Sequence, residues 1–167
     1  AAKFEDPLDP RKGIVFDGRV SENFKLSTGT WVSVGNLRTA AVAYADNVIQ
    51  DIVIAGHDRN EIGILVFPNI MGCRSLCSDL PAEAPVDDLI AHKNVRTTLL
   101  TGLKAYNATS VGSSTRIVRA RFMTEPPDID ANEITDKGYI NQRAVLDRRQ
   151  DLVTQLYTSD EVNLLIE

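Results

Sequence analysis

Few side chains in this sequence have the type and setting to do chemistry. Lys137 is the first. It is the one lysine of segment 125–138, E-P-P-D-I-D-A-N-E-I-T-D-K-G, and it sits between Asp136 and Gly138. A lysine on such a loop can bring a point charge to a carboxylate or a phosphate. Taken alone, a surface lysine beside acidic neighbours is the plainer reading. Arg19 is the second, directly after the turn dipeptide Asp17-Gly18. Its guanidinium is a fixed fork of donors for ribose or phosphate oxygens, or simply a solvated arginine after a tight turn. Thr28-Gly29-Thr30 is the third. Gly29 has no Cβ, so a ligand chain could pass close to the backbone there; a hairpin turn explains the glycine equally well.

Other chemistries find no support. Cys73 and Cys77 have no further thiols or nearby imidazoles to complete a tetrahedral zinc set, so reduced thiols and no metal site are expected. His57 and His92 are far apart and form no H-x-x-x-H pair; the first suits a turn and the second a helix surface. The sequence contains no G-x-x-x-x-G-K-[ST], G-x-S-x-G or H-E-x-x-H.

The elements that must position these residues can be read from pattern. Segment 4–13 is a charged, proline-containing turn, and 14–16 is a short strand. Residues 24–27 and 30–33 flank Thr28-Gly29 as a hairpin. Leu37, Ala40, Ala41, Tyr44 and Val48 fall at helical spacing. Residues 49–55 and 61–67 are strands joined by the 56–60 turn. Segment 69–85 reads as an irregular excursion, and 86–107 as one long helix with Asp87 and Asp88 in its first turn. Segment 116–123 alternates, with Arg119 and Arg121 on a wet face. A last helix over 141–157 carries two apolar stripes. Trp31 reads as a packed aromatic. Together these predict an α+β domain, with about three helices packed on small, mostly antiparallel sheets and hairpins.

Composition agrees with one ordinary domain. The chain has 167 residues, 43% apolar and 25% charged. Lys+Arg is 18 against 23 Asp+Glu, a net charge of −5. That excludes a whole-domain cationic footprint, so no nucleic-acid partner is expected. No apolar run approaches the ~20 residues of a membrane span. No secretory signal is evident, which leads to an expected cytoplasmic location. The oligomeric state stays open.

Several of these pieces follow one another in a familiar order. Gly18-Arg19-Val20-Ser21-Glu22-Asn23-Phe24-Lys25, then Ser27-Thr28-Gly29, then residues 34–38, resembles the linker and first hairpin of the small C-terminal domain of AMP-forming acyl-CoA synthetases. The usual string in that adenylate-forming superfamily is G-R-x-D-D-x-I-K-x-x-G. Val53-Ile54-Ala55-Gly56-His57-Asp58-Arg59-Asn60-Glu61-Ile62-Gly63 resembles its strand–turn–strand, and a single lysine before the last helix is the family arrangement. Phe24-Lys25-Leu26-Ser27-Thr28-Gly29-Thr30-Trp31-Val32-Ser33-Val34-Gly35 and Glu133-Ile134-Thr135-Asp136-Lys137-Gly138-Tyr139-Ile140-Asn141-Gln142 look most like feruloyl-CoA synthetases.

The resemblance implies a mobile C-terminal domain, with residues 1–20 as linker and first hairpin strand and 21–167 as the domain proper. Its partner would be its own N-terminal adenylation domain, which this chain lacks. That domain would hold most of the contacts to ATP, Mg and CoA. The substrate implied is an aromatic acid such as the hydroxycinnamate ferulate, converted to its CoA thioester through an acyl-adenylate. Lys137 would be the catalytic lysine, Arg19 and Asp17 would meet the nucleotide, and Ser21 would be the hinge. Lys25 and Gly29 would belong to the CoA face. Ser21 stands where the family usually has Asp or Lys. Alignment on the last helix puts the family lysine nearer Tyr139; Lys137 takes the role as the one lysine of its loop. The chain alone is expected to be inactive. The competing reading is a freestanding, non-catalytic α+β binding module.

Overall fold

The computed structural model describes residues 2–6, 8–16, 22–110, 112–159 and 163–166. Asp17, Arg19 and Ser21 lie outside the described residues. A first antiparallel pair joins β1 (Ala2–Phe4) to β2 (Ile14–Phe16) around a 3-10 turn at Pro10–Lys12. A second pairs β3 (Phe24–Lys25) with β4 (Trp31–Val32) around Thr28-Gly29, as expected. The main sheet has the order β5-β6-β7-β8. It comprises β5 (Ile49–Ala55), β6 (Ile62–Pro68), β7 (Ile117–Phe122) and β8 (Leu164–Leu165).

The β6–β7 pair is parallel, and both flanking pairs are antiparallel. A parallel pair requires a long crossover connection. Residues 69–116 supply it, which gives the excursion after β6 a structural purpose. It is also less irregular than expected. Asn69 accepts a hydrogen bond from the Gly72 amide and so caps α2 (Ile70–Ser75).

The sheet is covered on both faces. Ile52 and Ile54 of β5 and Ile64 and Val66 of β6 share a buried cluster with residues from α1 (Val34–Ala43) to α4 (Lys93–Ala108). Val53, Ala55, Leu65 and Phe67 face the other way, into a cluster with Val145 of α5 (Gln142–Arg148) and Leu156 of α6 (Gln150–Thr158). Two buried faces explain why residues 52–55 of β5 and the whole of β6 carry no polar side chain. They also correct the reading of β7. Arg119 is not on a wet face: it is half-buried and paired with Glu61.

Among the described residues six α-helices replace the expected three: α2 forms within the excursion, and two long runs are each interrupted. The 86–107 run breaks at His92, whose backbone is extended (φ −61°, ψ 134°) between α3 (Val86–Ala91) and α4. The His92 Nδ1 accepts the Asn94 amide and so caps α4, while Nε2 lies 3.0 Å from Asp79. The imidazole is a cap and not a solvated helix side chain. The 141–157 run bends at Arg149, which separates α5 from α6. The helix expected from Leu37 starts three residues earlier and ends at Ala43, where turns lead into β5. Trp31 is also corrected: it is 62% exposed, with the Lys25 ammonium 5.0 Å above its ring.

Close approaches fix the layers. A Cβ on Gly72 would collide with the Asn47 carbonyl oxygen, and one on Gly102 with that of Tyr44. The crossover helices therefore sit against the end of α1 and the turns beyond it. Replacing Gly72 with Ala should lower stability by about 1–3 kcal/mol, the cost of overpacking. Gly112→Ala, where a Cβ meets open space, should stay within about 0.5 kcal/mol. Equilibrium denaturant unfolding checks both.

Candidate functional site

Lys137 stands at the tip of a tight hairpin. The base is closed by the Asn141 amide donating to the Glu133 carbonyl at 2.8 Å. Ile134 and Ile140 bridge above it. The Thr135 amide then donates to the Tyr139 carbonyl, and the Gly138 amide to that of Thr135, both at 2.8 Å. Gly138 adopts φ +78°, a left-handed turn position that glycine takes without steric cost. This geometry leaves Asp136, Lys137 and Tyr139 exposed. Among the described residues, no carboxylate pairs with the Lys137 ammonium.

Each arm of the hairpin is fastened to the core. On one side Ile140 is buried in the cluster beneath α5 and α6. Two residues on, the Gln142 side-chain oxygen accepts the Ile54 amide at 3.0 Å, occupying the free edge of β5. On the other side Glu133 is fully buried. Arg149 grips its two carboxylate oxygens, Nε at 2.8 Å and Nη2 at 2.7 Å. The Asp128 amide donates to the same carboxylate at 2.8 Å, and Arg148 bridges it to the Asp128 side chain. Arg149 also donates to the carbonyls of Glu125 and Pro126, and its guanidinium centre lies 5.2 Å from the Phe67 ring. One side chain thus ties the exit of β7 to the base of the lysine hairpin.

Burial pushes the Glu133 carboxyl up. The Arg149 hydrogen bonds, the Asp128 amide and the charges of Arg149 and Arg148 outweigh it, holding the pKa below its ordinary 4.5. A carboxyl with a lowered folded-state pKa contributes stability that is present above its unfolded pKa and is lost as pH falls through the folded one. Glu133→Gln should therefore cost about 3 kcal/mol at pH 7, the scale of a broken buried pair. Its disadvantage should shrink as pH drops below 4.5. Denaturant unfolding of both proteins across that range checks the sign.

Lys137 and Tyr139 open onto a cleft of about 870 Å³ that also receives Glu22, Asn36, Arg38 and Asp51. Arg38 does not offer a free charge there, since Nε donates to Asp51 Oδ1 at 2.6 Å. Lys137 is thus the cation of this cleft that carries no ion-pair partner among the described residues.

Lys25 and Gly29 do not line that cleft. They belong to the β3–β4 hairpin, where Gly29 turns with φ +82° and donates to the Leu26 carbonyl at 2.8 Å. The 56–60 turn props this hairpin: the Ser27 amide donates to Arg59 and the Asp58 amide to Lys25. A smaller cleft of about 380 Å³ opens beside it, with Phe24, His57, Arg59 and Tyr157 among its walls. The Tyr157 hydroxyl donates to the Glu61 carbonyl and accepts the Gly63 amide; burial pushes its pKa up to about 12. Cys73 and Cys77 are free and buried, and burial raises both thiols, so neither is a nucleophile at neutral pH. Among the described residues no cluster of acids, histidines and cysteines could hold a metal. Glu133 and Arg149 escaped the sequence reading; the only trace was the Arg148-Arg149 pair inside an otherwise amphipathic helix.

The profile of the family described as AMP-binding enzyme C-terminal domain matches residues 24–161. The probable acyl-activating enzyme 16, chloroplastic, of Arabidopsis thaliana is 25% identical over 146 residues, 86% of this chain and 19% of that protein. Among solved structures, the A domain of carboxylic acid reductase from Segniliparus rugosus, in complex with AMP and a co-purified carboxylic acid, superimposes with a TM-score of 0.65. It is 18% identical, over 88% of this chain and 21% of that one. The adenylation domain of a carboxylate reductase from Mycobacterium chelonae gives a TM-score of 0.65 at 16% identity, over 89% and 21%. The chain spans about one fifth of the length of these relatives. The structural likeness establishes the α+β fold of this class of domain.

Proposed function

The chain belongs to the family of AMP-binding enzyme C-terminal domains, and we propose that it is the mobile domain of an ATP-dependent acyl-activating ligase. The observation that carries this reading is Lys137: an exposed ammonium on a hairpin whose base is held in the core, within that family's fold. In the first half-reaction a substrate carboxylate oxygen attacks the α-phosphorus of ATP. The bond to the β-phosphate breaks and pyrophosphate leaves. Lys137 supplies positive charge where negative charge moves from carboxylate to phosphate, without contributing a covalent step. In the second half-reaction the CoA thiolate attacks the acyl carbon and AMP leaves.

Most contacts to ATP and Mg would come from an N-terminal adenylation domain. On this chain, Arg19 and Asp17 would add contacts to the nucleotide. Residues 1–20 serve as linker and first hairpin strand, and Ser21 as the pivot between the two steps. After that swivel the β3–β4 hairpin, with Lys25 and Gly29, would face the thiol. The separation of this hairpin from the Lys137 cleft supports a domain that presents two faces in turn. The substrate class is an aromatic acid, with ferulate the first choice, on the strength of the 24–35 and 133–142 phrases.

The test uses the complete protein that carries this domain. ATP–pyrophosphate exchange should be fastest with ferulate in a set that includes benzoate and decanoate; a preference for decanoate would overturn the aromatic assignment. Lys137→Ala should slow exchange at least 100-fold and leave thioester formation from supplied acyl-adenylate within about two-fold. Equal loss of both steps would remove Lys137 from its role.

A further inference from the structure

The lysine tip and the core are joined through a short path. Lys137 is four residues from Glu133 along one arm and four from Asn141 along the other, and those two residues close the hairpin base. The Asn141 arm is fixed by the burial of Ile140 and by the Gln142 bond to β5. The Glu133 arm follows directly on segment 124–132, which contains no helix or strand. What fixes that arm is the Glu133 carboxylate, and the group that holds it is Arg149, from the bend between α5 and α6.

We propose that Glu133 and Arg149 are positioning residues for adenylation, setting where the Lys137 ammonium stands when the domain closes over its substrates. This rests on the assignment of Lys137 above and goes beyond it by naming what aims the lysine. Arg149 suits the task because a guanidinium meets both carboxylate oxygens at once and still donates to the carbonyls of Glu125 and Pro126. A lysine there delivers one point charge and cannot hold both oxygens and both carbonyls in a plane. A displacement of about 1 Å at the lysine is enough to matter, since positioned groups lose on the order of 100-fold for such a shift. The half-exposed Asp128–Arg148 pair backs the same carboxylate and can be opened without entering the core.

The experiment measures both half-reactions in the complete protein, with the acid that gives the fastest pyrophosphate exchange. The variants are Arg149→Lys, Glu133→Gln and Asp128→Ala, each made in the wild type and in Lys137→Ala. The expected result is at least ten-fold slower exchange for Arg149→Lys and Glu133→Gln. Asp128→Ala should lose about three-fold, with thioester formation from acyl-adenylate within two-fold of wild type throughout. On the Lys137→Ala background the same changes should cause no further loss, because their effect runs through the absent ammonium. Retained thioester formation reports that the domain is folded. If the two core variants fail to fold, Asp128→Ala decides.

Wild-type exchange in Asp128→Ala together with Arg149→Lys would overturn the proposal. So would equal loss of both half-reactions, or losses that multiply with Lys137→Ala. Normal exchange in Lys137→Ala alone would overturn the lysine assignment itself, and that is read from the single variant before any positioning variant is considered.

Discussion

The buried carboxylate of Glu133 is the constraint around which this end of the domain is built. A fully buried charge is tolerated only with a partner and with its lone pairs filled. Arg149, Arg148 and the Asp128 amide meet both conditions. Because those donors come from α5, its junction with α6 and the loop after β7, satisfying one carboxylate locks three segments that are otherwise joined by irregular chain. The lysine hairpin inherits its orientation from that lock.

The sheet supplies the platform. A parallel β6–β7 pair forces a long crossover, and the crossover helices fill one face while α5 and α6 fill the other. With both faces covered, exposed chemistry is confined to edges and tips. The β3–β4 hairpin and the lysine hairpin are two such places, at separate positions on the surface. In the proposed cycle, with one face serving acyl-adenylate formation and another thiol attack, the domain would need this separation.

Much of this was legible in the sequence where local rules act. Thr28-Gly29 announced a hairpin, 49–55 and 61–67 announced paired strands, and the order of motifs led to the family. The breaks at His92 and Arg149 were not legible, since apolar spacing continues across both. A cap made by an imidazole and a bend at a clamped guanidinium depend on partners distant in sequence or on a side chain turning back to its own backbone. Arg119 read as wet because alternation reports which side a residue faces and not whether a helix covers it. Glu133 looked like one acid among many in an acidic loop; only the fold shows that it is the buried one. Lys137 stands out in the sequence as the single lysine of its segment, and the fold leaves it exposed at the hairpin tip.

The most direct measurement is a crystal structure of the complete protein with a non-hydrolysable acyl-sulfamoyl adenosine that mimics the acyl-adenylate, in its adenylation-state arrangement. The account predicts the Lys137 ammonium within hydrogen-bond distance of the oxygens that replace the carboxylate and α-phosphate, with the Glu133–Arg149 pair intact behind it. Tyr139 or another side chain in that position, with Lys137 turned to solvent, would contradict it.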